Sequence, residues 1–368
     1  TARDGRKARI TGLSVDSRAV QPGHLFAALS GTRVHGGEFI PCALRMGAGA
    51  ILTDAVGARR AFEALAAHDA ALVVAEDPRQ ALACAAALWY GAQPETVVAV
   101  TGTNGKTSVA SFTRQIWECL GLDAVNLGTT GVEGAWEAPL AHTTPEPVTL
   151  HRILAEAEAA GVTHAAMEAS SHGLQQRRLD GMRLAAAAFS NLSRDHLDYH
   201  AGIAEYFAAK AGLFSRVLSA DGVAVINIDD AHGAEMAGIA RSRGQEVLTV
   251  GRAEGADLHI LATSFTPTGQ VLRFAWQGRS AQAELRLIGG FQAENVLLAA
   301  GLAIAAGTAP DRVFDMLPRM ETVRGRMQLA ARRANGGAVF VDYAHTPGAV
   351  AAARQALRPH VMGRLVAI

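Results

Sequence analysis

Apolar residues along the chain fall into two alternating spacings. Short runs rich in valine, isoleucine and alanine recur at 96–102, 123–128, 163–170, 185–192, 222–228 and 246–251. Such runs, bounded by turn residues, read as buried strands. Between several of them the spacing becomes helical. Val109, Phe112, Ile116 and Leu120 define one face, and 147–161 and 203–218 continue the pattern. Strands alternating with helices imply a mainly parallel sheet covered by helices. Residues 257–289 then read as antiparallel strands, and 293–307 as a buried helix. Upstream, 47–54 and 70–77 read as short strands around a helix at 58–68. A further helix runs from Pro78 to near Gly91, and Gln93-Pro94 reads as a linker. After Gly336 a strand (338–345), a helix (347–360) and a last strand (364–368) are expected.

The first of the six strands runs into Thr101-Gly102-Thr103-Asn104-Gly105-Lys106-Thr107-Ser108, and a helix follows. A glycine-rich turn at a helix N-terminus aims backbone N–H groups and the positive end of the helix dipole at one point. That arrangement binds anions. Lys106 adds a mobile charge for outer phosphates, and the Thr107 hydroxyl can ligate Mg²⁺. The position five before Gly105 is Val100, where the standard phosphate loop has glycine. The alternative is an ordinary strand-to-helix turn with a surface lysine.

Other groups gain meaning from that loop. Glu168 ends an apolar strand, where ligands gather in parallel sheets, and reads as a metal-holding acid beside the phosphate loop. Ser170, Gln176 and Arg178 follow in a polar loop, where Arg178 can pair with a carboxylate or phosphate. Asp195, His196, Asp198 and His200 crowd six residues. They form a metal or acid/base site, or a helix cap with surface histidines. Lys210, flanked by alanines, is a snorkelling surface lysine or an amine of lowered pKa open to modification.

Composition narrows the class. With 368 residues, more than one core is expected. Lys+Arg and Asp+Glu both number 34, which gives no support for a nucleic-acid surface. Hydrophobic residues make up 49%, too many for a disordered chain. Cys42, Cys84 and Cys119 lack paired spacing, which fits a reducing cytosol and argues against zinc or disulfides. No stretch approaches the length of about 18 apolar residues that a membrane span needs, and no signal-peptide core precedes the domain.

Taken in order, "TGTNGKTS", "HTTPEPVTLH", "MEASSHGLQQRR", "NLSRDHLDYH" and "EYFAAKAGLF" resemble the Mur ligases, within them the branch that adds the third residue of the peptidoglycan stem peptide. "SVDSRAVQPGHLFAAL" and "VDYAHTPGAV" extend the likeness over nearly the whole chain. The resemblance implies an α/β chain in three parts. These are a small UDP-binding domain (1–94), a central phosphate-loop ATPase domain with a mainly parallel sheet plus a small antiparallel one (95–332), and the start of an incomplete Rossmann-like domain (333–368).

It also implies roles. Gly102, Thr103, Asn104, Gly105, Lys106, Thr107 and Ser108 would bind ATP, with Asn295, Arg326 and Asp342 around the nucleotide and His345 in the same hinge. Thr107 and Glu168 would hold one Mg²⁺ and His196 the second. Lys210 falls on the family's carbamylated lysine, and Lys106, Lys210 and His196 become the expected catalytic residues. Ser17, Thr32, Arg33 and Val34 would hold the uridine end, and Thr143, Thr144, Ser170, Gln176 and Arg178 the muramoyl-peptide path. The implied partners are UDP-N-acetylmuramoyl-dipeptide and an amino acid, with meso-diaminopimelate favoured over L-lysine. A cytoplasmic monomer without nucleic acid or membrane span completes the expectation.

The sequence departs from the family at His35-Gly36, where Asp-Gly is common, and at Phe291-Gln292, where Phe-Asn is common. No Asp-Asn-Pro-Arg stretch of the kind that selects the amino acid occurs before Ile368, so the chain reads as cut within its last domain. A sister ligase, folylpolyglutamate synthase, a nucleotide-dependent switch and a fragment that only binds nucleotide stay as alternatives.

Overall fold

The computed structural model describes residues 9–31, 33–195, 199–334, 337–344, 347–361 and 363–368. They form two compact units. The first gathers the chain up to Ala92 with Glu146–Glu156 and Gln176–Met182; the second holds the rest.

The first unit is built on a four-stranded parallel sheet, β1 (Gly12–Ser14), β2 (His24–Ala27), β3 (Ala50–Thr53) and β4 (Ala71–Val74), in that spatial order. The helices are α1 (Ile40–Arg45), α2 (Ala55–Arg60), α3 (Phe62–Ala66) and α4 (Pro78–Tyr90). Alternation along the strands sends Phe26 and Ile51 to one face, against Ile40 and Leu65. Ala27 and Leu52 go to the other, against Leu82. The helix expected over 58–68 is two short ones. Asp54 caps the first by accepting from the Gly57 N–H, and the backbone leaves helical geometry at Ala61 (φ −104°, ψ 16°). The helix at 78–90 is the one expected: Asp77 caps it through the Gln80 N–H, Pro78 opens it, and Gly91, at φ +70°, ends it.

The second unit carries a ten-stranded sheet. Its elements are β5 (Thr96–Thr101), α5 (Lys106–Cys119), β6 (Ala124–Gly128), β7 (Gly131–Gly134), β8 (His164–Glu168), α7 (Ser171–Gln175), β9 (Ala186–Phe189), α8 (Ile203–Gly212), β10 (Val223–Asn227), α9 (Gly233–Ser242), β11 (Glu246–Gly251), β12 (Leu258–Thr266), β13 (Gly269–Trp276), β14 (Arg279–Leu285), α10 (Gln292–Ala305) and α11 (Pro310–Met316); α6 (Pro147–Ala159), between β7 and β8 in the chain, belongs to the first unit up to Glu156. The strand order is β14-β13-β12-β11-β10-β9-β5-β8-β6-β7. All six strands read from the sequence are present. The stretch from β6 through β8, β5, β9 and β10 to β11 and β12 is parallel. The antiparallel strands β13 and β14 continue the same hydrogen-bonded order. Helix α10 is apolar nearly all round and lies buried against α5 and the sheet, as such a helix must.

The order positions the site. The chain leaves β5 for β6 and β7 at one edge, comes back inward to β8, then crosses to the other side of β5 with β9. At that reversal the loops after β5, β8 and β9 open side by side, the crevice where parallel sheets take ligands.

Beyond α11, β15 (Gln328–Arg332) pairs antiparallel with β16 (Ala338–Val341), and α12 (Pro347–Leu357) packs Ala356 on Ile288 and Met327. The expected strand at 364–368 is not formed. Those residues lie irregular and mostly exposed, outside the hydrogen-bonded strands.

Candidate functional site

The phosphate loop forms as the sequence pattern requires. Gly102 sits at φ +151°, and a Cβ there would lie 1.9 Å from Ser190 Oγ. Gly105, at φ +88°, opens α5, and a Cβ there would meet Asn295 Oδ1 at 2.5 Å. Both positions need glycine for backbone conformation and for space. Ser108 is buried in the first turn of α5, beside Lys106 and Thr107.

Two lysines meet at one carbonyl. Lys106 Nζ donates to the carbonyl oxygens of Gly102 and Thr103, each at 2.9 Å. Lys210, from the last turn of α8, donates to the same Gly102 oxygen at 2.6 Å and lies 4.3 Å from the Tyr206 ring centre. Only 1% of Lys210 is exposed, so the snorkelling alternative does not describe it. Burial pushes Lys210 well below the ordinary lysine value and Lys106 lowers it further, with Asp195 opposing. Burial also lowers Lys106, against the pull of Glu168 and Asp195. One carbonyl oxygen thus accepts from both amines, and the Lys106 charge disfavours a second charge on Lys210.

Hard oxygen donors collect beside them. Thr107 Oγ1 donates to Glu168 Oε1 at 3.0 Å, the Thr129 N–H donates to the same oxygen at 2.7 Å, and Arg326 Nη2 donates to Thr107 Oγ1 at 3.0 Å. Glu168 is 2% exposed, and a Cβ on Gly128 would lie 2.0 Å from its Oε1. A hydroxyl and a carboxylate at a helix N-terminus suit Mg²⁺ in their donor chemistry. Among the described residues, no three His, Cys, Asp or Glu side chains form a metal-holding group.

The structure brings several other expected residues to this edge. Asn295 abuts Gly105, and its amide donates to Gln292 Oε1 at 3.0 Å. The Arg326 guanidinium stacks 4.6 Å from the Tyr343 ring centre. The Asp342 carboxylate accepts from the Met327 and Ala344 N–H groups at 2.8 and 2.9 Å, so it holds the turn next to Arg326. Thr144 donates to the Glu168 carbonyl and accepts from the Ser170 N–H, which ties down the end of β8. Thr143 meets the Thr129 hydroxyl at 3.1 Å, and Ser170 Oγ accepts from the Gly173 N–H at the start of α7.

Ser17, Arg33, Val34, Gln176 and Arg178 belong to the first unit. Ser17 is buried in a short turn capped by Asp16, and Arg33 and Val34 are exposed in the loop closed by Ser30 and His35. His35 accepts from the Gly37 N–H and meets both Asp54 oxygens at 3.1 Å. Thr32, His196, Asp198 and His345 lie outside the described residues.

Comparison with known proteins gives this edge its family. Residues 100–303 match the Mur ligase middle domain, and 9–90 match the Mur ligase family catalytic domain. The chain belongs to the Mur ligase family. It is 46% identical to the UDP-N-acetylmuramoyl-L-alanyl-D-glutamate--2,6-diaminopimelate ligase of Bradyrhizobium diazoefficiens, over 98% of this chain and 73% of that protein. It is 44% identical to the protein of the same name from Caulobacter vibrioides, over 98% of this chain and 74% of that one. A solved structure of a ligase of that name aligns with TM-score 0.80 and 32% identity, covering 96% of this chain and 71% of that one. MurF from Acinetobacter baumannii aligns at 0.65 with 21% identity, over 95% of this chain and 71% of that one; this is a likeness of fold alone.

Within this Mur ligase, sequence reasoning missed the residues that shape the loop. Ser190 Oγ donates to the Asn104 carbonyl at 2.6 Å, Asn191 Oδ1 accepts from the Asn104 N–H at 2.9 Å, and the Ser193 N–H donates to Thr103 Oγ1 at 2.9 Å. The Tyr206 hydroxyl meets Thr103 Oγ1 at 3.2 Å. The signal was the polar run after the fourth strand, and it becomes readable only when β9 is known to neighbour β5. His200 is buried and its Nε2 meets Ser171 Oγ at 3.1 Å, so it is no surface histidine.

Proposed function

We propose that this Mur ligase joins 2,6-diaminopimelate to UDP-N-acetylmuramoyl-L-alanyl-D-glutamate with ATP, in the cytoplasm and as a monomer. The observation that carries the reading is the meeting of Lys106, Lys210 and the Thr107–Glu168 pair at one sheet edge, in a chain 44–46% identical to ligases of that name. Among the described residues no helix is long and apolar enough to cross a membrane. We read 1–94 as the UDP-binding part, 95–332 as the ATP-binding part and 333–368 as the beginning of an amino-acid-binding part.

Forming an amide from a carboxylate and an amine in water is uphill, so the acid must be activated. The D-glutamate carboxylate oxygen attacks the γ-phosphorus of ATP and ADP leaves. The neutral amine then attacks the acyl carbon, the amine proton goes to solvent or base, and phosphate leaves. The first step brings two anions together. Lys106 and the helix N-terminus supply positive charge for that meeting, Lys106 by exchanging its carbonyl partners for phosphate oxygens. Thr107 and Glu168 would hold Mg²⁺ and His196 a second ion, and such ions would supply positive charge against the carboxylate and phosphates.

Lys210 suits carbamylation because its amine is buried and its pKa is driven down. A neutral amine adds CO₂ and loses a proton to give a carbamate, an anion that supports metal where an ammonium would repel it. Arg326 and Asn295 close the loop from the far side of Thr107 and Gly105.

The test is ADP release. It should require both the UDP-muramoyl-dipeptide and diaminopimelate, and L-lysine should replace diaminopimelate poorly. Release without either acceptor would instead mark a nucleotide switch.

A further inference from the structure

Gln176 and Arg178 flank Arg177, whose backbone lies in the left-handed region at φ +61°. Few residues other than glycine adopt that conformation. The Arg177 side chain faces two acids. Arg177 Nε pairs with Asp77 Oδ2 at 2.9 Å, and its Nη1 lies 3.9 Å from Asp180 Oδ2. Asp77 is also the cap of α4. The strained residue is therefore pinned to the first turn of that helix.

The same turn carries Arg79. Its Nη2 donates to the Ser30 carbonyl at 2.5 Å, in the loop closed by Ser30 and His35. Arg79, Gln176 and Arg178 line one small cavity of about 80 Å³, with Leu29 and Leu82 among its apolar walls. Arg178 Nη2 donates to Gln176 Oε1 at 2.8 Å, so the amide is oriented by the guanidinium. Glu146 is the acid of this lining. Its two oxygens already accept from the Val148 and Thr149 N–H groups at 2.7 and 2.8 Å, at the start of α6. The helix dipole and those donors hold that carboxylate at the helix start. The lining therefore carries two guanidiniums, one carboxylate, an amide and an apolar wall, an excess of one positive charge, all within the first unit.

We propose that Arg79 is a further substrate-anchoring residue: with Arg178 it clamps an anionic group of the UDP-muramoyl-dipeptide, and the Arg177–Asp77 pair is the positioning device that aims the clamp. The anion is a diphosphate or carboxylate oxygen, the chemistry that paired guanidiniums recognise. Arg79 reads the ligand while it holds the Ser30 loop, which couples the two ends of the site. The proposal rests on the substrate reading above.

The experiment is calorimetric titration of wild type, Arg79→Ala, Arg79→Lys, Asp77→Asn and Arg177→Gly with three ligands: UDP-muramoyl-dipeptide, UDP-N-acetylglucosamine and ATP. Arg79→Ala should weaken the dipeptide ligand roughly ten- to hundred-fold, the worth of a charge-assisted hydrogen bond. ATP affinity should be unchanged. Arg79→Lys should recover only part, since one ammonium cannot fork between Ser30 and an anion. Asp77→Asn keeps the helix cap and Arg177→Gly keeps the backbone conformation, so each tests the aim of the clamp, and each should weaken the same ligand by a smaller factor. A penalty shared by UDP-N-acetylglucosamine assigns the diphosphate as the clamped anion; a penalty confined to the dipeptide ligand assigns a carboxylate. Wild-type affinity for the dipeptide ligand in Arg79→Ala would overturn the clamp alone. A wild-type protein that binds ATP but not the dipeptide ligand would overturn the substrate reading and the clamp with it.

Discussion

At the ends of β5, β8 and β9, Thr107, Glu168, Ser190 and Lys210 are all buried, and each polar group there is held by another. Along β15 and β16 the opposite holds. Leu329, Val339 and Val341 are 42%, 44% and 47% exposed, and Tyr343 is 57% exposed. This second region is fastened at a few points: Asp342 on the Met327 N–H, Ala356 on Ile288, and His360 Nδ1 on the Thr266 carbonyl at 2.7 Å. One region invests buried polar groups in fixed geometry, and the other leaves apolar side chains in water. Arg326 connects them, through Thr107 on one side and Tyr343 on the other. The contrast locates where substitutions should be severe and where they should be silent.

The largest effect is expected at Gly102. A Cβ there collides with Ser190 Oγ and reaches the Asn191 backbone at 3.1 Å, in a backbone conformation that L residues avoid. Gly102→Ala should cost about 2–4 kcal/mol in urea unfolding and abolish ATP binding. Wild-type stability would mean that the loop is looser than its contacts imply.

Next comes Lys106→Ala. It should weaken ATP by more than roughly ten-fold in calorimetry, since a charged donor is lost, while UDP-muramoyl-dipeptide binding stays near wild type. The reverse pattern would assign the loop to the wrong ligand.

Lys210 gives a pH signature. Burial holds its folded-state value well below 10.5, and the unfolded chain keeps the ordinary value. Below the folded value both states carry the proton, and the burial penalty is full. Between the two values the unfolded state keeps a proton that the folded state has released, so stability rises with pH. Above the ordinary value the penalty is gone. In bicarbonate-free buffer this slope reaches at most about 1.4 kcal/mol per pH unit for one lysine. Lys210→Met should flatten it in unfolding series across that window. An unchanged slope would place the titration elsewhere.

The smallest effect is expected in the exposed region. Val366, 62% exposed, lies in the irregular last stretch, so Val366→Asp should shift stability by less than about 0.5 kcal/mol. A larger loss would show that this stretch packs on a partner surface.

What the sequence made legible follows the same contrast. The six strands of the parallel sheet were readable because a strand buried on both faces is a continuous apolar run. The phosphate loop was readable because its partners are local: strand, glycines and helix lie within a dozen residues. Lys210 was ambiguous by itself. Its partner is the Gly102 carbonyl, 108 residues away, and no local pattern encodes that meeting. Arg326 and Thr107 are 219 residues apart, and only the family resemblance grouped Arg326 with the phosphate loop. The stretch 364–368 read as a strand on composition, but a strand also needs a neighbour, and spacing says nothing about one. Arg79 and Arg177 drew no notice, because an arginine near a helix start has no periodic signature.

The central claim is that Lys210, buried beside the phosphate loop with its pKa driven down, is part of the ligase chemistry. The most direct measurement is carbon NMR of the protein with ¹³C-bicarbonate, Mg²⁺ and a non-hydrolysable ATP analogue. Wild type should give one carbamate resonance that strengthens as pH rises, and Lys210→Met should give none. The same resonance in both proteins, or none in a wild type that turns over ATP, would contradict it.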